Sequence, residues 1–186
     1  LELTTLRKDV KTDGRHAVVK YIDDWILDSE RRDFTINSIY LDIEGKIFDP
    51  QMGLTDLKNN NVKFIGDPQK RIEEDYLRII RFLRFTIQYE SKIDIKTTEA
   101  LKLNLDGIKR ISKERIFNEL IKILNLNNFK SIIKDQNKKF IFSLIFPELK
   151  FLNRLERLSS VYKYLKIDSD ILLAVLLIDE KENHEY

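Results

Sequence analysis

Hydrophobic and polar residues alternate along the first quarter of the chain, and this two-residue period is typical of β-strands. Strands are predicted at 1–6 and 17–22, and a hairpin is predicted at 39–48, where Gly45 supplies the turn. The residues at 8–15, between the first two strands, are charged and rich in turn-forming types. A mobile loop is therefore expected there.

From residue 68 onward, apolar residues recur every three or four positions, as in amphipathic helices. Pro68 suits the first turn of a helix that is predicted over 69–89. Ser112 is a plausible N-cap for another helix, which ends near Leu124. The remaining predicted helices cover 97–105, 128–135, 137–144, 149–165 and 169–177. The sequence therefore predicts an α+β fold in which strands come first and helices follow.

The composition excludes several kinds of site. The 186 residues are 42% hydrophobic, so a core can form, and a net charge of +2 means that any affinity for nucleic acid comes from a local patch. The absence of cysteine excludes disulfides, thiol nucleophiles and cysteine-ligated zinc. The two histidines, His16 and His184, are too far apart to suggest a metal site. No apolar run has membrane-spanning length and no signal peptide is visible, so a cytoplasmic protein without a membrane partner is predicted.

Two segments, 31–37 and 73–81, place fixed charges among apolar residues, where burial is costly unless the charges are paired or used. In the first segment, Arg32 follows another arginine, and such a pair can hold a triphosphate through bidentate hydrogen bonds. Asp33 could accept from a sugar hydroxyl or orient an arginine, and Asn37 could bind a sugar or the backbone. The alternative is a charged turn that enters a helix.

Along the predicted helix that contains the second segment, arginines step by three and are interleaved with large apolar residues, so they do not lie on a plain solvated face. They are Arg78, Arg81 and Arg84. Asp75 and Arg78 are neighbours at i, i+3. The alternative is a surface ion pair between these two residues, with the other arginines solvated.

Together and in this order, four segments resemble the motifs of a known family. Residues 31–38 resemble an RRDFTxNA signature, 49–57 a DPxxGxxDL segment, 74–85 an EDxxRxxRxxRF helix and 110–116 the neck motif that follows. On these motifs the chain is identified as a member of the class II tRNA nucleotidyltransferases (CCA-adding enzymes) and their relatives, the bacterial poly(A) polymerases. The resemblance fades after about Leu126.

The resemblance implies three parts. A polymerase-β-like nucleotidyltransferase head, present only in part, is expected over 1–65. A helical neck that reads the nucleotide is expected over 66–126, and a partial helical body over 127–186.

The resemblance also implies template-independent addition of CMP and AMP, from CTP and ATP, to tRNA or other RNA 3′ ends. Asp75 and Arg78 are expected to read the edge of the incoming base, because a carboxylate accepts from an exocyclic amine and a guanidinium donates to ring acceptors. Arg32 is expected to contact the nucleotide, and Asp33 and Asn37 are expected near the ribose. Arg81 and Arg84 are expected to contact phosphate or to support the reading pair. Arg110 and Arg115 are expected to brace the neck.

Catalysis in this family uses an Asp-x-Asp pair that holds Mg²⁺, and in the motif order this pair would precede residue 1. Glu2 fits an auxiliary carboxylate and is the predicted catalytic residue, although one carboxylate cannot hold the metals. Residues 168–170, Asp-Ser-Asp, match the Asp-x-Asp pattern, but they follow the helix at 69–89 and are predicted to start another helix. An N-terminally truncated chain is therefore expected, or one half of a split enzyme completed by a separate chain.

Three interpretations stay open. The first is a nucleotidyltransferase that lacks its metal-binding segment. The second is a module that binds nucleotide or tRNA without chemistry. The third is a helical bundle with accidental motifs, which four ordered motifs disfavour. The motifs are common to CCA addition, A-only addition and poly(A) synthesis.

Overall fold

The computed structural model describes residues 5–12, 17–161 and 168–177, which begin with two small antiparallel sheets. Strand β1 (Arg7–Thr12) pairs with β2 (Ala17–Tyr21), and β3 (Tyr40–Leu41) pairs with β4 (Ile47–Phe48). The predicted strand at 17–22 and the predicted hairpin at 39–48 are confirmed.

The expected loop over 8–15 is wrong for residues 8–12, which belong to β1. Main-chain groups make the hydrogen bonds of a strand, so a charged sequence can pair as well as an apolar one. Residues 13–15 of the predicted loop and 1–4 of the first predicted strand lie outside the described residues.

Helices make up most of the rest of the described chain. The α-helices are α1 (Trp25–Glu30), α2 (Gly53–Lys58), α3 (Pro68–Glu74), α4 (Leu77–Gln88), α5 (Ile95–Asn104), α6 (Lys113–Leu124), α7 (Gln136–Ile145), α8 (Arg154–Val161) and α9 (Ser169–Leu177). Short 3₁₀ turns cover Thr35–Asn37, Leu105–Arg110 and Phe129–Lys134. The helix predicted at 128–135 is therefore a 3₁₀ turn, and the one predicted at 149–165 is helical at 154–161, with 162–167 outside the described residues.

Polar side chains cap several helices. Ser112 accepts from the N–H of Arg115 at 3.4 Å, which confirms its predicted role at the start of α6. The Asp168 carboxylate accepts from the N–H groups of Asp170 and Ile171 at 3.1 and 3.0 Å. The predicted helix start at 168–170 is confirmed, since this carboxylate satisfies donors that have no partner within the helix.

The single helix predicted over 69–89 is wrong, because the chain breaks between α3 and α4 at Asp75. Asp75 has an extended backbone, with φ −154° and ψ 107°, and its carboxylate accepts from the N–H of Leu77 at 3.1 Å. A short acidic side chain competes with the helix by bonding to nearby main-chain donors. The apolar period continues across the break and hides it from the sequence.

Helix α2 supports the 3₁₀ turn that carries Asn37. The Asp49 carboxylate accepts from the first two N–H groups of α2, at 2.7 and 2.9 Å. A Cβ on Gly53 would lie 2.1 Å from the carbonyl oxygen of Thr35, so only glycine permits this approach. Asp56 accepts from the hydroxyl of Thr35 at 2.9 Å. The DPxxGxxDL segment therefore fixes the end of the first motif.

A continuous hydrophobic core runs from Phe34 to Leu176, with α4 near its centre. Phe34 is fully buried, and its ring contacts those of Phe64, Phe82 and Phe85 at centroid distances of 4.9, 5.9 and 5.4 Å. Burying one such side chain contributes about 2 kcal/mol. Phe34 thus anchors the first charged motif to the helical part of the molecule. Within the described chain, no helix combines the length and the apolar character that a membrane crossing requires.

Candidate functional site

The two charged motifs meet along one strip of main chain. The N–H of Thr35 donates to the carbonyl of Lys63 at 3.1 Å, and the N–H of Ile65 donates to the carbonyl of Asp33 at 3.0 Å. These bonds form an antiparallel bridge on either side of Phe34. Residues 31–37 therefore lie in a fixed position beside α3 and α4.

Asp33 joins the first motif to α4. Its carboxylate accepts from Arg81 Nε at 2.7 Å and from Asn37 Nδ2 at 2.9 Å. Burial alone would raise the pKa of Asp33, but the charge of Arg81 and the hydrogen bonds from Asn37 and Arg81 outweigh it and hold the pKa below its usual value. The sequence left open whether Asp33 accepts from a sugar or orients an arginine, and in this structure it binds an arginine.

Arginines of α3 and α4 also hold the main chain of the first motif. Arg78 donates to the carbonyl of Arg71 at 2.7 Å, to the carbonyl of Arg31 at 3.4 Å and to the carboxylate of Glu74. Arg71 in turn donates to the carbonyl of Arg32 and forms an ion pair with Glu74. The main chain of the two adjacent arginines is thus held by one arginine of α3 and one arginine of α4.

Asp75 and Arg78 do not pair with each other. Arg115 of α6 donates to Asp75 Oδ2 at 2.8 Å, whereas Arg78 binds Glu74. The surface ion pair that was the alternative interpretation is therefore not formed. The side chains of Asp75 and Arg78 are 24% and 15% exposed, so both reach the surface from fixed positions.

The far end of α4 is tied to α6 by a buried carboxylate. Glu119, 3% exposed, accepts from Arg84 Nε at 2.8 Å and from Lys122 Nζ at 2.8 Å. Burial acts to raise its pKa, but Lys122 and Arg84 outweigh burial and lower it. The guanidinium of Arg84 also lies 4.1 Å from the ring centroid of Phe85. Glu119 was not singled out from the sequence. Its arginine partner, Arg84, is 35 residues away in α4, and its other partner, Lys122, follows three residues later on α6.

Arg110 packs at the break between α3 and α4. Its guanidinium lies 5.6 Å from the ring centroid of Tyr76, which is the residue after Asp75. A Cβ on Gly107 would lie 2.1 Å from the same ring, so glycine leaves room for it. At this break Arg110 therefore contacts Tyr76, and Arg115 contacts Asp75.

Asp28, which lies outside the motifs of the sequence, binds both adjacent arginines. Its side chain is fully buried; Oδ1 accepts from Arg31 Nη2 at 2.6 Å, and Oδ2 accepts from Arg32 Nε at 3.0 Å. Oδ2 also accepts from the hydroxyl of Tyr40 at 2.8 Å, and Oδ1 from the N–H of Arg7 at 3.1 Å. Burial raises the pKa of Asp28, but the hydrogen bonds from Arg7, Arg31, Tyr40 and Arg32 together lower it to about 2.

A sequence signal for Asp28 existed. It stands three and four residues before the two arginines, which is the spacing at which helical side chains meet.

Two family models match the chain. Residues 1–63 match the model described as "Poly A polymerase head domain", and 92–152 match "Probable RNA and SrmB- binding site of polymerase A". CCA tRNA nucleotidyltransferase 1, mitochondrial, from Homo sapiens is 49% identical over 135 residues, covering 71% of this chain and 31% of that protein. The CCA-adding enzyme of Lactobacillus helveticus is 40% identical over 127 residues, which cover 66% of this chain and 31% of that enzyme.

This chain belongs to the CCA-adding enzyme and poly(A) polymerase family. It spans about a third of the length of these curated relatives. A solved tRNA-processing enzyme with CTP is 25% identical with a TM-score of 0.67, and the match covers 82% of this chain and 46% of that one. The predicted α+β fold, with a polymerase-β-like head followed by helices, is confirmed by this likeness.

The carboxylates of this family member's site do not form a metal centre among the described residues. No group of three or more His, Asp or Glu residues there is arranged to hold an ion. Asp28, Asp33, Asp75 and Glu119 each bind an arginine instead. The described donor set therefore does not fit Mg²⁺. Glu2, the predicted catalytic carboxylate, lies outside the described residues.

Proposed function

We propose that this chain is the nucleotide-reading part of a template-independent RNA nucleotidyltransferase that adds CMP and AMP, from CTP and ATP, to tRNA 3′ ends. The observation that carries the proposal is the docking of the two motifs. Arg78 donates to the main chain of Arg31, and Arg81 binds the carboxylate of Asp33, so the residues of both motifs share one surface. The names of the relatives, and the CTP in one solved relative, support the choice of substrates.

Asp75 and Arg78 read the base in this proposal. At C4 of cytosine and C6 of adenine an exocyclic amine donates to a carboxylate, whereas the same positions of uracil and guanine carry a carbonyl oxygen that a carboxylate repels. A carboxylate can accept about four hydrogen bonds, and Asp75 uses some of this capacity on Leu77 and Arg115. Because Arg115 and Glu74 hold the two reading groups, little conformational freedom is lost when the nucleotide binds.

The remaining site residues divide by exposure. Arg32, whose side chain is 29% exposed, contacts the triphosphate, and Asn37, held by Asp33, lies near the ribose. The side chain of Arg81 is 30% exposed and can reach phosphate while it pairs with Asp33. Arg84 is 13% exposed and faces Glu119, so it supports the reading helix and does not contact phosphate.

The other parts of the proposal concern the whole protein. Phosphoryl transfer of this kind uses Mg²⁺ to activate the RNA 3′-hydroxyl and to stabilise the pyrophosphate. In this proposal the described residues bind and orient the nucleotide. Four further points stay predictions. They are the role of Glu2 as an auxiliary carboxylate, a separate chain that supplies further carboxylates, the division into 1–65, 66–126 and 127–186, and a cytoplasmic location.

Primer extension tests the proposal. A tRNA that lacks its 3′ end is mixed with Mg²⁺, labelled CTP or ATP, and the chain alone or with a polypeptide carrying an Asp-x-Asp segment. We expect extension in the mixture that contains the Asp-x-Asp polypeptide. Asp75→Ala should abolish this extension, whereas Glu73→Ala, at an exposed carboxylate two residues earlier, should leave it intact. The number and identity of the added nucleotides separate CCA addition, A-only addition and poly(A) synthesis.

Two other results would change the conclusion. Binding of CTP and ATP without extension in either mixture would favour a module that binds nucleotide without chemistry. Failure to bind either nucleotide would contradict both functions.

A further inference from the structure

The environment of Asp28 divides its two oxygens between the two adjacent arginines. Oδ1 accepts from Arg31 Nε at 2.9 Å and Nη2 at 2.6 Å, and Arg31 Nε also donates to the carbonyl of Arg7 at 2.8 Å. Oδ2 accepts from Arg32 Nε at 3.0 Å and forms an ion pair with Arg32 Nη2 at 2.9 Å. One fully buried carboxylate therefore fixes both guanidinium groups.

Tyr40 completes the enclosure of Arg32. Its hydroxyl donates to Asp28 Oδ2 at 2.8 Å, and its ring centroid lies 5.4 Å from the guanidinium carbon of Arg32. Tyr40 is itself fixed, since its ring contacts those of Trp25 and Phe48 at 5.1 and 6.4 Å. The guanidinium of Arg32 is thus held along its Nε–Nη2 edge by Asp28 and on one face by an aromatic ring.

The two arginines differ in what remains for a ligand. Arg31 has a side chain that is 17% exposed, and it links Asp28 to the main chain of β1. Arg32 has a side chain that is 29% exposed, and its Nη1 lies on the edge that Asp28 does not bind. A planar guanidinium that is bound along one edge can present its other donors to a phosphate group in a fixed geometry.

We propose that Asp28, together with Tyr40, is the positioning residue of the nucleotide site, and that it holds Arg32 in the orientation that binds the triphosphate of CTP or ATP. This inference rests on the proposed function. Asp28 does not contact the nucleotide; it acts through Arg32. Fixing a flexible arginine before the ligand arrives removes an entropic cost of binding that corresponds to roughly three- to tenfold in affinity.

The first test is the affinity for CTP and CMP of the 186-residue chain and its variants, measured by calorimetry. Asp28→Asn turns one acceptor into a donor that faces Arg32 and Tyr40, and we expect it to weaken CTP about tenfold and CMP much less. Tyr40→Phe keeps the ring and removes only the hydroxyl, so a smaller loss of about threefold is expected. The Tyr40→Phe variant also tests the inference if Asp28→Asn fails to fold.

A double-mutant cycle separates positioning from general stability. If Asp28 acts through Arg32, Asp28→Asn has no further effect on CTP affinity in an Arg32→Ala background, because the group it positions is gone. The same cycle is run with Tyr40→Phe. Asp135→Asn is the matched control, since Asp135 caps α7 and pairs with the buried Lys138 but has no contact with Arg32. We expect this variant to bind CTP normally.

The outcomes are distinguishable. Equal losses of CTP and CMP affinity, or additive losses in the cycle, would contradict the positioning role while leaving the proposed function intact. A wild-type chain that binds neither CTP nor ATP would contradict the proposed function, and this inference with it. The side-chain Nε–H signal of Arg32 in NMR spectra, expected to be protected from exchange in the wild type and lost in Asp28→Asn, tests the geometry without any nucleotide.

Discussion

At the scale of single residues, four carboxylates account for the charges that lie among apolar side chains. Asp28, Asp33, Asp75 and Glu119 each accept from at least one arginine within 3 Å. Removing one partner from such a pair is costly, because the other charge stays poorly solvated. The sequence identified Asp33 and Asp75 through their motifs. It did not identify Glu119, because the contact with Arg84 depends on how α6 packs against α4.

Glu119→Gln should destabilise the protein by about 2–4 kcal/mol, since it leaves Arg84 without a charged partner in a nearly buried site. Urea denaturation followed by circular dichroism measures the change. Glu114→Gln, an exposed carboxylate on the same helix, should cost less than about 1 kcal/mol.

The same pair predicts a pH dependence. Burial acts to raise the pKa of Glu119, but Lys122 and Arg84 outweigh burial. The pKa is therefore lower in the folded than in the unfolded protein. Its contribution to stability is therefore present above the unfolded value of 4.5 and is lost as the pH falls through the folded pKa. The difference in unfolding free energy between wild type and Glu119→Gln should shrink as the pH falls below 4.5. A difference that grows there would contradict this assignment.

At the scale of elements, the caps were predictable and the break at Asp75 was not. Ser112 and Pro68 mark the starts of α6 and α3 by their side-chain chemistry, which the sequence displays directly. The break between α3 and α4 does not interrupt the apolar period, and the structure shows it through the extended backbone of Asp75 and the bond from the N–H of Leu77 to its carboxylate. Strand β1 escaped prediction because its hydrogen bonds come from the main chain of β2.

Gly53 is the element-scale position with the clearest requirement for glycine. Gly53→Ala places a Cβ against the carbonyl of Thr35, so α2 must move from the 3₁₀ turn that carries Asn37. We expect a loss of about 1–3 kcal/mol together with weaker CTP binding. Thermal melting and calorimetry measure the two effects.

Gly45→Ala is the control for that change. Gly45 has φ +83° and open space around its Cβ position, so alanine there should cost about 1 kcal/mol and leave CTP affinity unchanged. Weaker CTP binding in Gly45→Ala but not in Gly53→Ala would contradict the supporting role of α2.

At the scale of the whole molecule, the core joins the first motif to the helices near the end of the described chain. Phe34 and Phe142 are both fully buried members of that core, although more than a hundred positions separate them. The division at 65 and 126 stays a prediction. The order of strands and helices was readable from periodicity, but the continuity of the core was not, because it depends on which faces of α4, α6 and α7 meet.

Phe142→Ala should destabilise the protein by about 3–5 kcal/mol. Because the core is continuous, the unfolding midpoint of Trp25 fluorescence should move together with that of circular dichroism. Phe140→Ala, half exposed on the same helix, should cost less than about 1 kcal/mol. A shift in circular dichroism without a shift in Trp25 fluorescence would show that the head unfolds independently.

The most direct test of the central claim is the discrimination between CTP and UTP, which differ at the position where Asp75 is proposed to accept from an exocyclic amine. The wild type should bind CTP and ATP about tenfold or more tightly than UTP and GTP. Asp75→Asn should abolish this preference, and Glu73→Gln should keep it. Equal affinities for all four nucleotides in the wild type, or a preference that survives Asp75→Asn, would contradict the account.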